Sequence, residues 1–238
     1  MEAPPEPYRL VVLYTADTIV AFGSEAAVQE QILASQDDLN LALANSGLAA
    51  YEVRVVSIAP APAPLDTLAA KCNLGADLAA LARPDIDKVQ REQLASGIAL
   101  TVRCGEANGL ANRPSKDKDF RNLSSGHLVF VLGAFSQHTL AHEWGHTMGL
   151  LHDLPHLKTG EKTSYPAADG CLIGPRGCLT ALPSRPTRGT VMSLATQTFP
   201  VFSSLGTFDG LVVGDPKIAN AAALIRRNWN LALGRAHR

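Results

Sequence analysis

Residues 10–13, Leu-Val-Val-Leu, form an unbroken apolar run, the pattern of a strand buried on both faces. The period then changes. After Ser24, a residue suited to cap a helix N-terminus, Val28, Ile32, Leu39 and Leu43 recur near helical spacing, and Gly47 stands where a helix can end in a left-handed turn. Val53 and Val55 alternate with Glu52 and Arg54, which predicts a half-exposed strand, and the Ala-Pro alternation over 59–64 predicts an extended connector. Residues 65–97 are apolar and Ala-rich and predict helix, broken at Arg83-Pro84. A third strand is predicted over 98–103. The stretch 105–125 holds Gly, Asn, Pro, Ser and the mixed charges of Lys116, Asp117, Lys118 and Asp119, and predicts a loop with room for a short strand at 109–112. Residues 127–132 predict a further strand, begun by His127, that leads directly into a helix. Strands interleaved with helices predict an α/β layer around a mainly parallel sheet. Beyond Asp153 the chain is rich in Pro, Gly, Thr and Ser with little periodicity as far as 215. Asp215-Pro216 then predicts a helix start, with Ile218, Ala221, Ala222, Ile225 and Trp229 as its buried stripe. No internal repeat is visible.

Composition narrows the function classes. The 238 residues suffice for one large domain or two small ones, and 46% hydrophobic content supports a full core. A formal net charge of -1 with no long run of Lys or Arg argues against a nucleic-acid partner held by bulk electrostatics. No apolar stretch approaches membrane-spanning length. The opening Met-Glu-Ala-Pro-Pro-Glu-Pro is acidic and proline-rich, unlike a secretory leader; a mature domain written without its leader and any propeptide is the preferred reading, over a cytosolic start. Cys72, Cys104, Cys171 and Cys178 allow three connectivities. Cys171 and Cys178 flank a turn-rich Leu-Ile-Gly-Pro-Arg-Gly loop that could close on itself, which would leave Cys72–Cys104 as the second bridge; the alternative is four thiols in a reducing compartment.

The chemistry concentrates in His142-Glu143-Trp144-Gly145-His146-Thr147-Met148-Gly149-Leu150-Leu151-His152-Asp153. Residues four apart share a helix face, so His142 and His146 can grip one metal ion. Glu143 lies beside the first ligand, where a carboxylate can serve a metal-activated water. Gly149 can adopt a left-handed conformation and turn the chain out of the helix, returning His152 as a third ligand. Three protein nitrogens leave the fourth position of a single Zn²⁺ open, the arrangement of a catalytic site. Trp144 should face the opposite side and pack in the core.

The string resembles the metzincin zinc-endopeptidase signature HExxHxxGxxH, and the Asp after the third His resembles the adamalysin/reprolysin branch. That clan also carries a Met-turn beneath the metal; Gly189-Thr190-Val191-Met192-Ser193 resembles it, with Met192 as the turn methionine. Residues 8–15, the helix from Ser24, the Asn45-Ser46-Gly47 break and 51–58 resemble the opening of secreted bacterial reprolysin-like peptidases, including the peptidyl-Asp metalloendopeptidase group. Residues 104–111 resemble their edge-strand segment, and Phe202-Ser203-Ser204 the stretch after the Met-turn. Leu194 departs from the pattern, standing where several of these enzymes carry Tyr. The resemblance implies an α/β (α+β) metzincin-like fold: a mainly parallel twisted sheet with an antiparallel edge strand, helices including the zinc-binding one, and a small irregular C-terminal subdomain ending in a helix. It implies one catalytic domain, with an extended tail at 1–7, an upper subdomain at 8–153 and a lower one at 154–238. It also favours disulfides and a secreted or periplasmic, monomeric protein acting on polypeptides.

In that scheme Glu143 is general base and acid, Asp153 either orients a backbone group or ligand imidazole or simply stabilises the turn, and Gly109, Leu110, Ala111 and Asn112 form the edge strand that receives substrate. Leu110→Pro is expected to remove one outward N–H from that edge. Arg185 and Arg188 could favour an acidic substrate residue. His138, four before His142, could approach the metal, although a helix-start side chain in solvent is the plainer reading; the surface reading also holds for His156. Two alternatives stand beside the endopeptidase: a zinc-bound toxin or binding module, which would have no use for Glu143, and a zinc hydrolase of a small amide, which would need a closed pocket.

Overall fold

The computed structural model of the chain describes residues 3–104, 108–132, 138–153, 168–169, 173–174, 177–178, 188–193, 197–214 and 219–235. In chain order they form β1 (Tyr8–Tyr14), α1 (Ala16–Phe22), α2 (Glu25–Asn45), β2 (Val53–Pro60), α3 (Ala63–Ala69), α4 (Leu74–Ala80), α5 (Pro84–Glu92), β3 (Gly97–Val102), β4 (Gly109–Ala111), β5 (His127–Val131), α6 (Thr139–Thr147), a run of two- and three-residue strands beginning with β6 (Leu151–Asp153), and a last helix, α7 (Ala221–Leu233).

The main sheet has the order β2-β1-β3-β5-β4. Its first four strands are parallel, and β4 closes one edge antiparallel to β5. This is a mixed α/β architecture. The expected parallel sheet with an antiparallel edge strand is present. Along β1, Tyr8, Leu10, Val12 and Tyr14 enter a core shared with α2, α6 and α7, while Val11 and Leu13 enter a second core with residues of α3, α4 and α5. The continuous apolar run of β1 follows from this, because both faces of the sheet are covered. The four side chains of α2 that its periodicity named, Val28, Ile32, Leu39 and Leu43, are all buried, with Ala42 beside them, and Ser24 caps the helix by accepting from Ala27 N–H at 3.1 Å.

Three local expectations are corrected. The supposed connector at 59–64 is the end of β2 and the start of α3; Pro60 lies at a strand end on the sheet edge, where no ladder N–H is needed, and Pro64 fits the first turn of a helix. Helix α1 has no counterpart in the sequence reading. Its seven residues are too few for a clear period, and Thr15, accepting from Thr18 N–H, starts it. Helix α7 is capped by Asn220, which accepts from Ala223 N–H at 3.1 Å, so it begins after the Asp215-Pro216 start expected for it. Of its expected stripe, Ala221, Ala222, Ile225 and Trp229 are buried, while Ile218, like Asp215 and Pro216, lies outside the described residues. No helix among the described residues is long and apolar enough to cross a membrane.

Candidate metal centre and active site

Helix α6 packs against β5 and β4 and carries the histidine motif. Trp144 points into the core as expected, in edge contact with Tyr8 (5.8 Å between centroids) and Trp229 (6.1 Å). The opposite face carries His142 and His146. At the helix end Gly149 has φ +92°, and Leu150 N–H closes the last turn on the Gly145 carbonyl at 3.1 Å. The chain then extends into β6 and brings His152 back. Its Nε2 lies 3.2 Å from His142 Nε2 and 3.2 Å from His146 Nε2. The three imidazoles could hold a metal ion, and the one-atom-per-residue donor set lies within 4.8 Å throughout.

The other ring nitrogens fix the tautomers. His142 Nδ1 lies 2.8 Å from the Val191 carbonyl and His146 Nδ1 lies 2.9 Å from the Leu150 carbonyl. A carbonyl only accepts, so both Nδ1 atoms carry the proton and both Nε2 atoms turn a lone pair toward the common point. Burial holds the His146 imidazole well below the usual histidine range, with the neighbouring His142 and His152 adding to the effect, so the neutral, ligating form is favoured. Val191 belongs to the segment read as a Met-turn. Next to it Met192 is fully buried, and its sulfur occupies the space a side chain at Gly145 would need. The methionine thus lies directly beneath α6.

Glu143 is only 5% exposed, and burial pushes its carboxyl up to about 8. Its side chain packs on the backbone of Gly109 in β4: a Cβ built on that glycine would fall 2.5 Å from Glu143 Cγ and 2.6 Å from Oε1. The edge strand and the carboxylate are therefore neighbours. The ladder also settles which backbone groups face outward. Val131 N–H bonds Asn108 carbonyl (2.8 Å) and Asn112 N–H bonds His127 carbonyl (3.1 Å), so the alternating residues 108, 110 and 112 direct their groups at β5. Gly109 and Ala111 present the outward groups. The expectation for Leu110→Pro is corrected accordingly: that N–H belongs to the sheet. Asn112 lies just past the strand, with its side chain on the Ser124 carbonyl at 2.7 Å.

His138 departs from both readings made of it. It stands at the N-cap of α6, 5% exposed and so not in solvent, with Nδ1 on the Asp38 carboxylate of α2, and it is not one of the three imidazoles whose nitrogens converge. His127 begins β5 as expected and is fully buried, with Nε2 3.0 Å from Gln90 Oε1. The backbone of Asp153 ends β6. Of Arg188 and Cys178 the structure describes the backbone alone, while His156, Cys171, Arg185 and Leu194 lie outside the described residues, and with them the Cys171–Cys178 bridge. Cys72 and Cys104 form a disulfide with Cα atoms 5.3 Å apart, joining the turn before α4 to the segment that precedes β4.

Sequence reasoning missed how the end of α6 is held. Asn228 of α7 donates to the Met148 carbonyl at 2.9 Å, and fully buried Arg235 donates to the Thr147 carbonyl at 2.9 Å while lying 4.9 Å over the Phe120 ring. A cation at a helix C-terminus is favourably placed against the helix dipole. No spacing rule links residues 80 or more apart in sequence, so nothing in the pattern pointed to these bonds.

No protein-family model and no curated protein matches the chain. Among solved structures 98 chains match. One of them, described as "Structure of a chaperone-substrate complex", aligns with 97% of this chain at a TM-score of 0.70 and 16% identity. This chain spans 39% of that one, and at such identity the likeness is one of fold.

Proposed function

We propose that the chain is a zinc-dependent endopeptidase of the metzincin type. The observation that carries the reading is the convergence of His142, His146 and His152, two of them with Nδ1 anchored on backbone carbonyls, and the burial of Glu143, which follows the first of them in the chain. Around a tetrahedral zinc ion with bonds of ~2.0–2.1 Å, neighbouring ligand atoms stand about 3.3 Å apart. The 3.2 Å spacings fit an ion of that size, and an all-nitrogen set of three matches catalytic zinc. Bound there, zinc would polarise a scissile carbonyl and lower the pKa of water toward ~7.

The remaining work falls to this chain's residues. In its ionised form, which a cation held by the neighbouring imidazoles would favour against burial, Glu143 takes the proton of the attacking water on an Oε atom and later passes it to the leaving amine nitrogen. The outward groups of Gly109 and Ala111 in β4 receive an extended polypeptide as an added strand, which brings its backbone alongside Glu143. Met192 supports α6 from below and touches no reactant. The division into upper (8–153) and lower (154–238) subdomains, a monomeric state and a secreted or periplasmic location belong to the same proposal; the Cys72–Cys104 disulfide supports the last of these.

The test is casein hydrolysis before and after a chelator, and again after zinc is restored. Loss and recovery of cleavage are expected. Cleavage that survives complete metal removal, or none from folded, zinc-loaded protein, contradicts the proposal, and the second result would favour a binding module.

A further inference from the structure

Nothing in the backbone of β4 calls for glycine at 109. Its φ is not positive, and a strand glycine is less favourable than alanine by roughly 0.5–1 kcal/mol. The demand comes from across the gap. A Cβ at 109 would meet Glu143 Cγ at 2.5 Å, Oε1 at 2.6 Å and Cδ at 2.7 Å, where non-bonded heavy atoms settle at about 3.5–4.0 Å. Three atoms of the side chain would have to move together, not its tip alone. Among the described residues no hydrogen bond holds the Glu143 carboxylate, so packing on this strand sets its place. We infer that Gly109 is a positioning residue: its bare Cα forms the slot that holds the Glu143 carboxylate beside the three imidazoles. The strand that presents its outward groups to a peptide would then also fix the proton acceptor, keeping the two in register. The catalytic half of this inference rests on the proposed role of Glu143; the packing half does not.

The experiment pairs stability with kinetics. Gly109→Ala is made in the parent chain and in Glu143→Ala, and thermal unfolding of the metal-free proteins is compared. The substitution should lower Tm by roughly 3–8 °C in the parent and by less than about 1 °C in Glu143→Ala, where the obstacle is gone. Equal losses in both backgrounds would overturn the slot. In zinc-loaded protein Gly109→Ala should lower kcat for a long peptide at least tenfold, with zinc content unchanged and KM within about threefold. The shorter acid gives a rescue: adding Gly109→Ala to Glu143→Asp should change kcat less than about threefold. A kcat in Gly109→Ala within twofold of the parent, or a full additive loss on Glu143→Asp, would overturn the positioning role. Absence of hydrolysis by the parent would overturn the endopeptidase reading and the catalytic half with it, while the Tm pair still decides the slot.

Discussion

Gly149 is where the helix gives way to the third imidazole, and the structure sets the size of its contribution. Its φ of +92° is a conformation L-residues avoid, at about 1–2 kcal/mol for alanine. Space is not the obstacle. A Cβ would sit 3.4 Å from Asn228 Nδ2 and from the Pro114 carbonyl, ordinary van der Waals contact. Alanine also restricts the unfolded chain, which returns ~0.4–1 kcal/mol. Gly149→Ala should therefore be destabilising by about 1 kcal/mol, a Tm loss of roughly 2–4 °C for a chain of this size. If the last turn of α6 relaxes instead, His152 withdraws and the same energy appears as weaker zinc binding, up to about tenfold. Measuring both Tm without metal and zinc affinity by chelator competition captures the cost in either place. Asn, which tolerates left-handed backbone, should recover about half of it. Wild-type values for Gly149→Ala in both measurements would refute the argument that positive φ is needed to return His152.

Proline scanning of β4 separates ladder from substrate edge: Leu110→Pro should destabilise the fold by breaking a bond to β5, whereas Ala111→Pro should spare Tm and lower kcat/KM for long peptides, and equal effects of the two would contradict the assigned register. Replacing Cys72 and Cys104 by Ser opens a loop with sequence separation 32 and should reduce unfolding free energy by about 2–4 kcal/mol in urea titration; two free thiols at these positions in the intact protein, found by mass measurement without reductant, would contradict the bridge. Burial, with Arg235 nearby adding to it, holds His127 down to about 4, below its ordinary 6.5. The unfolded chain thus takes up this proton first as pH falls, so stability should drop between pH 6.5 and pH 4, by about 2 kcal/mol from pH 7 to pH 5. His127→Gln should remove that part of the acid sensitivity in urea unfolding, and an unchanged pH slope would show that the site is not neutral in the fold.

The histidine geometry was legible because it is local. An i, i+4 pair on a helix and a glycine three residues later fix three side chains within a dozen residues, and backbone stereochemistry does the rest. Strand β1 and helix α2 were legible for the same reason, since burial on two faces or one face prints a period. The carbonyls of Val191 and Leu150 that fix the tautomers carry no residue identity, so no spacing could name them. His138 was misread because its partner, Asp38, is 100 residues away, and a lone histidine at a helix start looks the same in solvent or bonded to a distant carboxylate. The edge strand was found by composition, yet the outward groups were assigned to the wrong residue. A three-residue strand has no period to set its parity, which only the pairing with β5 decides.

The central claim is that Glu143 moves the proton in a metal-dependent cleavage, and one comparison tests it most directly: casein hydrolysis per bound zinc for Glu143→Gln against the parent. The amide keeps the shape of the side chain in its slot on Gly109 but cannot take the proton from water. The account predicts about one zinc per chain in both proteins, with hydrolysis by the variant reduced ~10²–10⁴-fold. A zinc-loaded Glu143→Gln protein that cleaves casein within threefold of the parent would contradict it.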